Sequence, residues 1–412
     1  MHSHTLRILT DIRMGSPLSP TLPPPPTFGG VFPTRIRKGI SVCIACVLLL
    51  LFFSSSGSFD NFSYRSKCSG KFPKKIWQTW KLNPLSFEER DLWCARTWVA
   101  RNPGYRYEVL TDQNGLDYVE THFGPEGLNR PDIVYMYRSL TAKIVKADIL
   151  RYLVMYVEGG IYADIDVESL RPISTFIPDR YDEREIDMVI GVEIDQPQFN
   201  NHSILGKKSQ SFCQWTLMSR PGVPVWLKLV DNIVRWLNEI AAQQSKPISE
   251  IELGFDEVIS GTGPSAFTKA VLTEMSTRTG HEVTWDAFHN MRESKSVGGI
   301  LVLPVEAFAA GQGHSDSGNH NSRGALVKHH YHASMWPTQH PRYRHPIVGE
   351  VERCNWDPDC VRKWDKDKAA FDALSPEDQT KQIALKEAFE AQEAAYAAEL
   401  AAAEYPQDAP FA

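Results

Sequence analysis

Apolar and polar residues form two kinds of segment along this chain. Residues 189–192 and 300–303 are short apolar runs with the length of strands, and residues 105–110 (YRYEVL) form a further strand-like segment. Residues 142–157 and 226–240 are longer and have apolar positions at helical spacing. Strands that alternate with helices predict an α/β fold built on one sheet.

The start of the globular region follows the same pattern. Residues 74–80 (KKIWQTW) are typical of a first strand that leads into a loop. Residues 86–99 have helical spacing, and Ser86 precedes Glu89 by three positions, which is the spacing of a capping box. The turn signal Asn-Pro-Gly at 102–104 then introduces the strand at 105–110.

One apolar run differs from the rest, residues 40–53 (ISVCIACVLLLLFF). As a helix it would span about 21 Å, less than the roughly 30 Å of a bilayer core. A cleaved signal peptide, a signal anchor that continues to residue 57 and a buried core helix are the alternatives. Arg35, Arg37 and Lys38 precede the run, which favours a cytosolic N-terminus. The long segment ahead of it favours an anchor over a signal peptide.

The predicted organisation is therefore that of a type II membrane protein. It comprises a cytosolic tail (1–39), a signal-anchor helix (40–57), a stem (58–70), a catalytic domain (71–364) and an Ala/Glu-rich tail (365–412) that is helical or disordered. Glycosylation sequons at Asn61 and Asn201 fit a luminal position.

Composition narrows the function only slightly. Hydrophobic residues make up 42% and charged residues 23% of the 412-residue chain, as in ordinary globular proteins. A formal charge of -6 gives no reason to expect a nucleic-acid partner. Among the seven cysteines, Cys354 and Cys360 are close together between polar residues, so they fit a short-loop disulfide in an oxidising lumen.

Asp164 and Asp166 form an Asp-x-Asp pair in the strand-like segment 161–167 (IYADIDV). Residues two apart on a strand face the same side, so the two carboxylates would lie together. Like charges repel and are costly to desolvate, and a hard divalent cation relieves that cost. Two surface aspartates are the alternative, but the apolar neighbours describe a buried strand. We therefore predict a site for a metal ion and a diphosphate.

Asp148 and Arg151 lie one helical turn apart in the segment before that pair. A solvated ion pair is the default interpretation. However, the surrounding residues are strongly apolar, and buried charges need a partner or a ligand. We therefore predict that both side chains contact hydroxyl groups of a donor sugar.

Two further segments are candidates for ligand binding. VKHHYHASMW contains His329, His330 and His332, and histidine can serve as a metal ligand beside carboxylates; a His-rich surface loop is the alternative. Residues 261–264 (Gly-Thr-Gly-Pro) predict a tight loop that lets backbone approach a ligand, although any turn would fit. Its candidate donor-binding residues are Gly261, Thr262 and Gly263.

With these segments in place, the sequence resembles glycosyltransferase family 32, and specifically the fungal initiation-specific alpha-1,6-mannosyltransferase group. The resemblance extends from about residue 73 to residue 336. It rests on six motifs in the family's order: PKKIWQTWK, NPGYRYEVLTD, AKIVKADILRYLVMYVEGGIYADIDV, FCQWTLMSRPGVP, ISGTGPSAFTKAV and HHYHASMW.

The resemblance implies roles for particular residues. Asp164 and Asp166 would be the metal-binding Asp-x-Asp, with one histidine as a further ligand, for which we choose His330 over His329 and His332. The donor side would comprise Asp148 and Arg151, which contact the sugar, and Trp77 and Gln78, in a nucleotide-binding first loop.

The resemblance further implies a GT-A type, Rossmann-like mixed sheet, Mn²⁺ dependence, a GDP-mannose donor and a Golgi or ER–Golgi membrane location. The expected reaction transfers mannose to a mannose of an N-glycan, with an alpha-1,6 link and retention of configuration. No residue stands out as a nucleophile, so front-side attack is expected. The alternatives are mannosyl transfer to inositol phosphorylceramide and a non-catalytic role in a Golgi mannan-polymerising complex.

Overall fold

A computed structural model describes residues 71–332 and 339–404. The strands are β1 (Lys75–Trp80), β2 (Arg106–Thr111), β3 (Gly160–Ala163), β4 (Val167–Ser169), β5 (Met188–Asp195), β6 (Gln210–Phe212), β7 (Thr216–Ser219), β8 (Lys295–Val297), β9 (Ile300–Leu303) and β10 (Val327–His329). The helices are α1 (Glu89–Arg101), α2 (Gly115–Phe123), α3 (Pro131–Ser139), α4 (Lys143–Val157), α5 (Pro224–Gln244), α6 (Phe255–Gly261), α7 (Pro264–Thr279), α8 (Val305–Ala309), α9 (Pro358–Asp372) and α10 (Pro376–Glu404).

The centre of the protein is a mixed sheet in the order β2-β1-β3-β7-β5-β9-β8, with β6 paired to β5. β1 pairs in parallel with both β2 and β3, whereas β7 is antiparallel to β3 and β5. A separate two-stranded sheet joins β10 to β4 in antiparallel orientation. The carboxyl ends of β1 and β3 therefore meet at one edge, which is where open α/β sheets place their ligands.

The strands and helices that periodicity predicts are present. β5, β9, α4 and α5 cover the predicted segments, and the predicted α/β class with a mixed sheet is confirmed. α4 is apolar on most of its circumference, and nine of its residues are buried. A helix of this composition needs cover on more than one side, and α4 packs against β1, β3 and α5.

Two local predictions are wrong. Glu88 caps α1 without a side-chain hydrogen bond, so Ser86 and Glu89 form no capping box; Ser86 lies in a separate 3-10 turn. β3 ends at Ala163, so Asp164 and Asp166 lie in the turn that leads to β4 and not within a strand.

A second, smaller hydrophobic cluster lies outside the main core. It joins the segment around Phe199 and Leu205 to the C-terminal segment, through buried Val351, Val361 and Trp364. The predicted boundary between residues 364 and 365 falls inside α9, whose Phe371 is also buried. α10, which follows, is largely exposed, as the composition of this tail predicts. A disulfide joins Cys354 to Cys360, as predicted.

The predicted cytosolic tail, anchor and stem (1–70) lie outside the described residues. Within residues 71–332 and 339–404, no helix combines the length and the apolar character of a membrane span.

Candidate functional site

The turn between β3 and β4 holds the Asp-x-Asp pair against the sheet. The backbone N–H of Asp164 donates to the Trp215 carbonyl at 2.9 Å, and its own carbonyl accepts from Gln78 Nε2 at 3.0 Å. Its Oδ1 accepts from the Tyr162 hydroxyl at 2.7 Å. Asp164 is thus held by β1, by β3 and by the residue that precedes β7, although it belongs to none of these strands.

His329 completes a group of three potential metal ligands. One ligand atom from each of Asp164, Asp166 and His329 lies within 4.8 Å of the others, and His329 Nε2 is 3.2 Å from Asp166 Oδ1. The register of β10 on β4 explains this position, because it places His329 opposite Val167.

The structure therefore corrects the choice of His330. Successive residues of a strand point to opposite sides, so His329 and its neighbour cannot both face the two aspartates. His330 Nε2 instead lies 3.2 Å from Glu168 Oε2. His332 contacts Asp91 with its ring at 3.1 Å, while its backbone N–H donates to Asp166 Oδ2 at 3.0 Å.

Asp148 and Arg151 project from α4 to the same place. Both are buried, with 1% and 3% of their surface exposed. Arg151 Nη2 is 3.2 Å from Asp148 Oδ1 and 3.2 Å from Asp164 Oδ1. The solvated ion pair is thus excluded, and the guanidinium instead connects the helix to the Asp-x-Asp turn. Asp148 also accepts a hydrogen bond from Thr262 Oγ1 at 2.7 Å.

Burial dominates the electrostatics of these carboxyl groups. Desolvation raises the pKa of Asp148 to about 6 against the opposing effect of Arg151. Desolvation also raises the pKa of Asp164; Arg151 opposes this shift, while the charge of Asp166 adds to it. Such raised pKa values are typical of functional sites, because a bound ligand or cation can offset the desolvation free energy of the buried charge.

A cavity of about 510 Å³ contains these groups. Asp148, Arg151, Asp164, Asp166 and His329 lie together on its wall. Its other lining residues are Ile144, Glu193, Ile194, Leu205, Lys208, Ser211, Gln214, Trp215, Phe255, Val258, Ile259, Gly263, Pro264, Tyr331, Arg342, Glu352 and Trp356. A few converging charged groups in a cavity of this size describe a small-molecule site.

Glu193 is a member of this site that the sequence analysis missed. It lies on β5, where its Oε1 accepts a hydrogen bond from Trp215 Nε1 at 2.9 Å. Desolvation raises the pKa of Glu193. The signal was weak in the sequence, since the carboxylate only interrupts an apolar strand (MVIGVEID). The feature that could have identified Glu193 is a charged residue at a strand position that the apolar pattern predicts to be half-buried.

Trp77 and Gln78 do not lie in a loop. Both are buried within β1, and the amide of Gln78 accepts a hydrogen bond from the Tyr107 hydroxyl while it donates to the Asp164 carbonyl. Neither lines the described cavity. Gln78 thus supports the Asp-x-Asp turn from behind.

The Gly-Thr-Gly segment joins α6 to α7, and its three residues have different surroundings. A Cβ on Gly261 would lie 2.3 Å from the Trp236 ring, so this glycine is required by packing and not by a ligand. Thr262 is fully buried against Asp148. Gly263 alone of the three lines the cavity.

The three-ligand group fits a divalent cation. Two carboxylates and one imidazole are donors that Mn²⁺ and similar ions accept. The buried like charges of Asp164 and Asp166 are also the arrangement that a cation stabilises. The residues that would hold the ion are therefore Asp164, Asp166 and His329.

Comparison with known proteins agrees with this site. Residues 88–183, which include both aspartates, match the family described as "Glycosyltransferase sugar-binding region containing DXD motif". The chain is 32% identical over 279 residues to the initiation-specific alpha-1,6-mannosyltransferase of Schizosaccharomyces pombe, covering 67% of each chain. It is 28% identical over 286 residues to the Candida albicans protein of the same name, covering 65% of this chain and 72% of the relative.

Among solved structures, the chain is similar to "PaToxG Glycosyltransferase", with 19% identity, 58% of this chain and 82% of that chain covered, and a TM-score of 0.34. That score is too low to support a conclusion about the fold. The mixed sheet establishes the α/β class, and the sequence relatives establish the family.

Sheet and site together define a glycosyltransferase with an Asp-x-Asp motif. The chain belongs to the DXD-containing sugar-transferase family, of the glycosyltransferase family 32 type. The relatives to which it is similar include initiation-specific alpha-1,6-mannosyltransferases. It is therefore an enzyme that transfers a hexose, and its family generally uses a divalent metal.

Proposed function

We propose that this chain transfers mannose from GDP-mannose to a mannose of an N-glycan, with an alpha-1,6 link and retained configuration. The proposal rests on one observation. The Asp164–Asp166–His329 group and the Asp148–Arg151 pair line the same cavity. The first group is suited to a cation and diphosphate, and the second to sugar hydroxyls. The names of its relatives supply the sugar and the linkage.

A bound Mn²⁺ would neutralise negative charge that develops on the diphosphate leaving group. The protein's own contribution is to position the donor. Arg151 lies between the carboxylates of Asp148 and Asp164, so the three groups hold one another in place before the donor arrives. Charged side chains that are fixed in advance need little reorganisation during reaction.

Glu193 lines the cavity that holds this network. Its Oε1 is oriented by Trp215, and its Oε2 has, among the described residues, only a long contact of 3.4 Å with Ser211 Oγ. A sugar hydroxyl could therefore donate a hydrogen bond to this carboxylate. We propose that the acceptor hydroxyl attacks from the front side and that Glu193 orients the substrate.

The cellular setting is proposed with the same chemistry. The catalytic domain, which extends from residue 71 through α9, is proposed to adopt a GT-A type arrangement in the Golgi lumen. Residues 1–39, 40–57 and 58–70 are proposed as its cytosolic tail, membrane anchor and stem. The basic residues before the apolar run and the two glycosylation sequons support this orientation.

The decisive experiment offers Mn²⁺, GDP-mannose and a mannose-rich N-glycan to the purified full chain. Asp166→Asn is the inactivating variant, and Asp179→Asn, at an exposed position outside the cavity, is its matched control. Transfer that Asp166→Asn loses and Asp179→Asn retains supports the proposal. Linkage and anomeric analysis of the product then tests the alpha-1,6 bond and retention.

Other outcomes favour the alternatives. Transfer to an inositol phospholipid but not to the glycan would overturn the proposed acceptor. Absence of both transfer and GDP-mannose binding would instead favour a non-catalytic subunit of a Golgi complex.

A further inference from the structure

The C-terminal segment also contributes residues to the wall of the cavity that contains the two aspartates. Phe255, Arg342, Glu352 and Trp356 line the same cavity as the aspartates, together with Lys208. None of them belongs to the groups assigned above to the metal or the donor. The cavity therefore has lining residues beyond those of the donor site. In the proposed reaction, this additional part of the cavity is available to the second substrate.

Trp356 is held in this region by an unusual backbone. Asn355 and Trp356 are consecutive residues with positive φ values, 45° and 66°. A left-handed conformation at a bulky residue is costly and persists where surrounding structure imposes it. Here the disulfide between Cys354 and Cys360 encloses both residues, and the Trp356 ring packs against Phe199 at a centroid distance of 5.8 Å.

Several residues that line the cavity with Trp356 carry buried polar atoms. Lys208 Nζ lies 2.6 Å from both Asp256 Oδ1 and Glu352 Oε1, which fixes all three side chains. Glu352 Oε2 and Arg342 Nε are buried and have no hydrogen-bond partner among the described residues. Buried polar atoms are normally paired, so one free acceptor and one free donor at a cavity wall indicate a polar ligand.

The charges of this region distinguish between possible ligands. Lys208 and Arg342 are cationic, whereas Asp256 and Glu352 are anionic, and Glu350 lies 3.8 Å from Arg342. The two cations are thus outnumbered by three carboxylates, and the arrangement has no positive charge left to attract an anion. A neutral polyhydroxyl ligand fits better than a phosphorylated headgroup.

We propose that Trp356, Arg342 and Glu352 form the acceptor subsite and bind a neutral mannose residue of the acceptor glycan. This inference rests on the proposed function and specifies the binding site for its second substrate. The indole supplies a flat apolar platform, while Glu352 Oε2 accepts from a sugar hydroxyl and Arg342 Nε donates to one. The disulfide loop holds the platform in the orientation that the cavity requires.

The test measures initial rates of the purified full chain with a mannose-rich N-glycan and GDP-mannose, each varied at a saturating level of the other. Trp356→Ala is compared with Trp356→Phe, which retains a ring, and with Tyr135→Ala, at an exposed aromatic position outside the cavity. We expect an acceptor KM about tenfold higher for Trp356→Ala, as for the loss of a buried aromatic contact. Trp356→Phe should recover part of it, and the donor KM should change far less.

Arg342→Gln and Glu352→Gln provide a second measurement in case Trp356→Ala fails to fold, which thermal unfolding will show. Both should raise the acceptor KM more than the donor KM. An unchanged acceptor KM in folded variants, or an equal rise in both KM values, would overturn the subsite. Inhibition by free inositol phosphate that exceeds inhibition by free mannobiose would also overturn it. Failure of the proposed function differs, because the unaltered chain would then transfer no mannose to the glycan.

Discussion

The buried carboxyl group of Asp148 should make the free enzyme less stable at neutral pH than at mildly acidic pH. Burial raises its pKa from 3.8 to about 6, despite the neighbouring Arg151 and the hydrogen bond from Thr262. The folded protein therefore holds this proton more tightly than the unfolded chain does. The stability that protonation contributes is lost as the pH rises through the interval between the two pKa values.

The magnitude follows from linkage. One pKa unit corresponds to about 1.4 kcal/mol, so the ionised carboxyl group costs about 3 kcal/mol of unfolding free energy at neutral pH. Near pH 5 the same shift costs about half as much, because the folded protein is then largely protonated. Asp148→Asn removes the charge and keeps an oxygen that can accept from Thr262. Its stability relative to the unaltered chain should therefore increase by about 1–2 kcal/mol between pH 5 and pH 7.5.

The assay is urea unfolding followed by tryptophan fluorescence, without metal or donor, at both pH values. Asp179→Asn, at an exposed position, is the control for a change in net charge alone. A stability difference that is independent of pH, or larger at pH 5, would refute the reasoning. The same variant should lose transferase activity, since it alters the carboxylate that pairs with Arg151 at the cavity wall.

Three further predictions concern single side chains. In calorimetric titrations, His329→Ala should weaken Mn²⁺ binding at least about tenfold, whereas His330→Ala should change it by less than about threefold; equal effects would contradict the assigned ligand. Glu193→Gln should lower kcat by a factor of about 100 without weakening Mn²⁺ binding, and an unchanged kcat would remove Glu193 from the active site. Gly261→Ala should lower the unfolding free energy by about 1–3 kcal/mol, because the new methyl group would meet the Trp236 ring. Thermal unfolding measures this cost, and an unchanged midpoint would show that the packing relaxes.

Two predictions failed for different reasons. The local pattern of residues 74–80 predicts a strand, and only the resemblance to a family's nucleotide-binding segment placed Trp77 and Gln78 in a loop. Pairing with two neighbouring strands holds both residues in β1. Ser86 has the spacing of a cap, but Glu88, two residues later, is the N-cap of α1. Neither the family motif nor the three-residue spacing contains the contacts that decide these positions.

Local patterns in the sequence were sufficient for the elements of the fold and for the chemical character of the site. Helical spacing identified α4 and α5, and the apolar residues before Asp164 identified the buried strand β3, although the two carboxylates lie in the turn after it. The pairing of Cys354 with Cys360 followed from their closeness. These features depend on neighbours along the chain, which a sequence displays directly.

Only the tertiary structure decided which distant residues share the cavity. His329 joins Asp166 because of the register between β10 and β4, two strands that lie far apart in sequence. Glu193 and Trp356 reach the same space from β5 and from the disulfide loop. A shift of one residue in register would turn His330 towards the aspartates instead. Such choices depend on the packing of the whole domain, and no local pattern in the sequence records them.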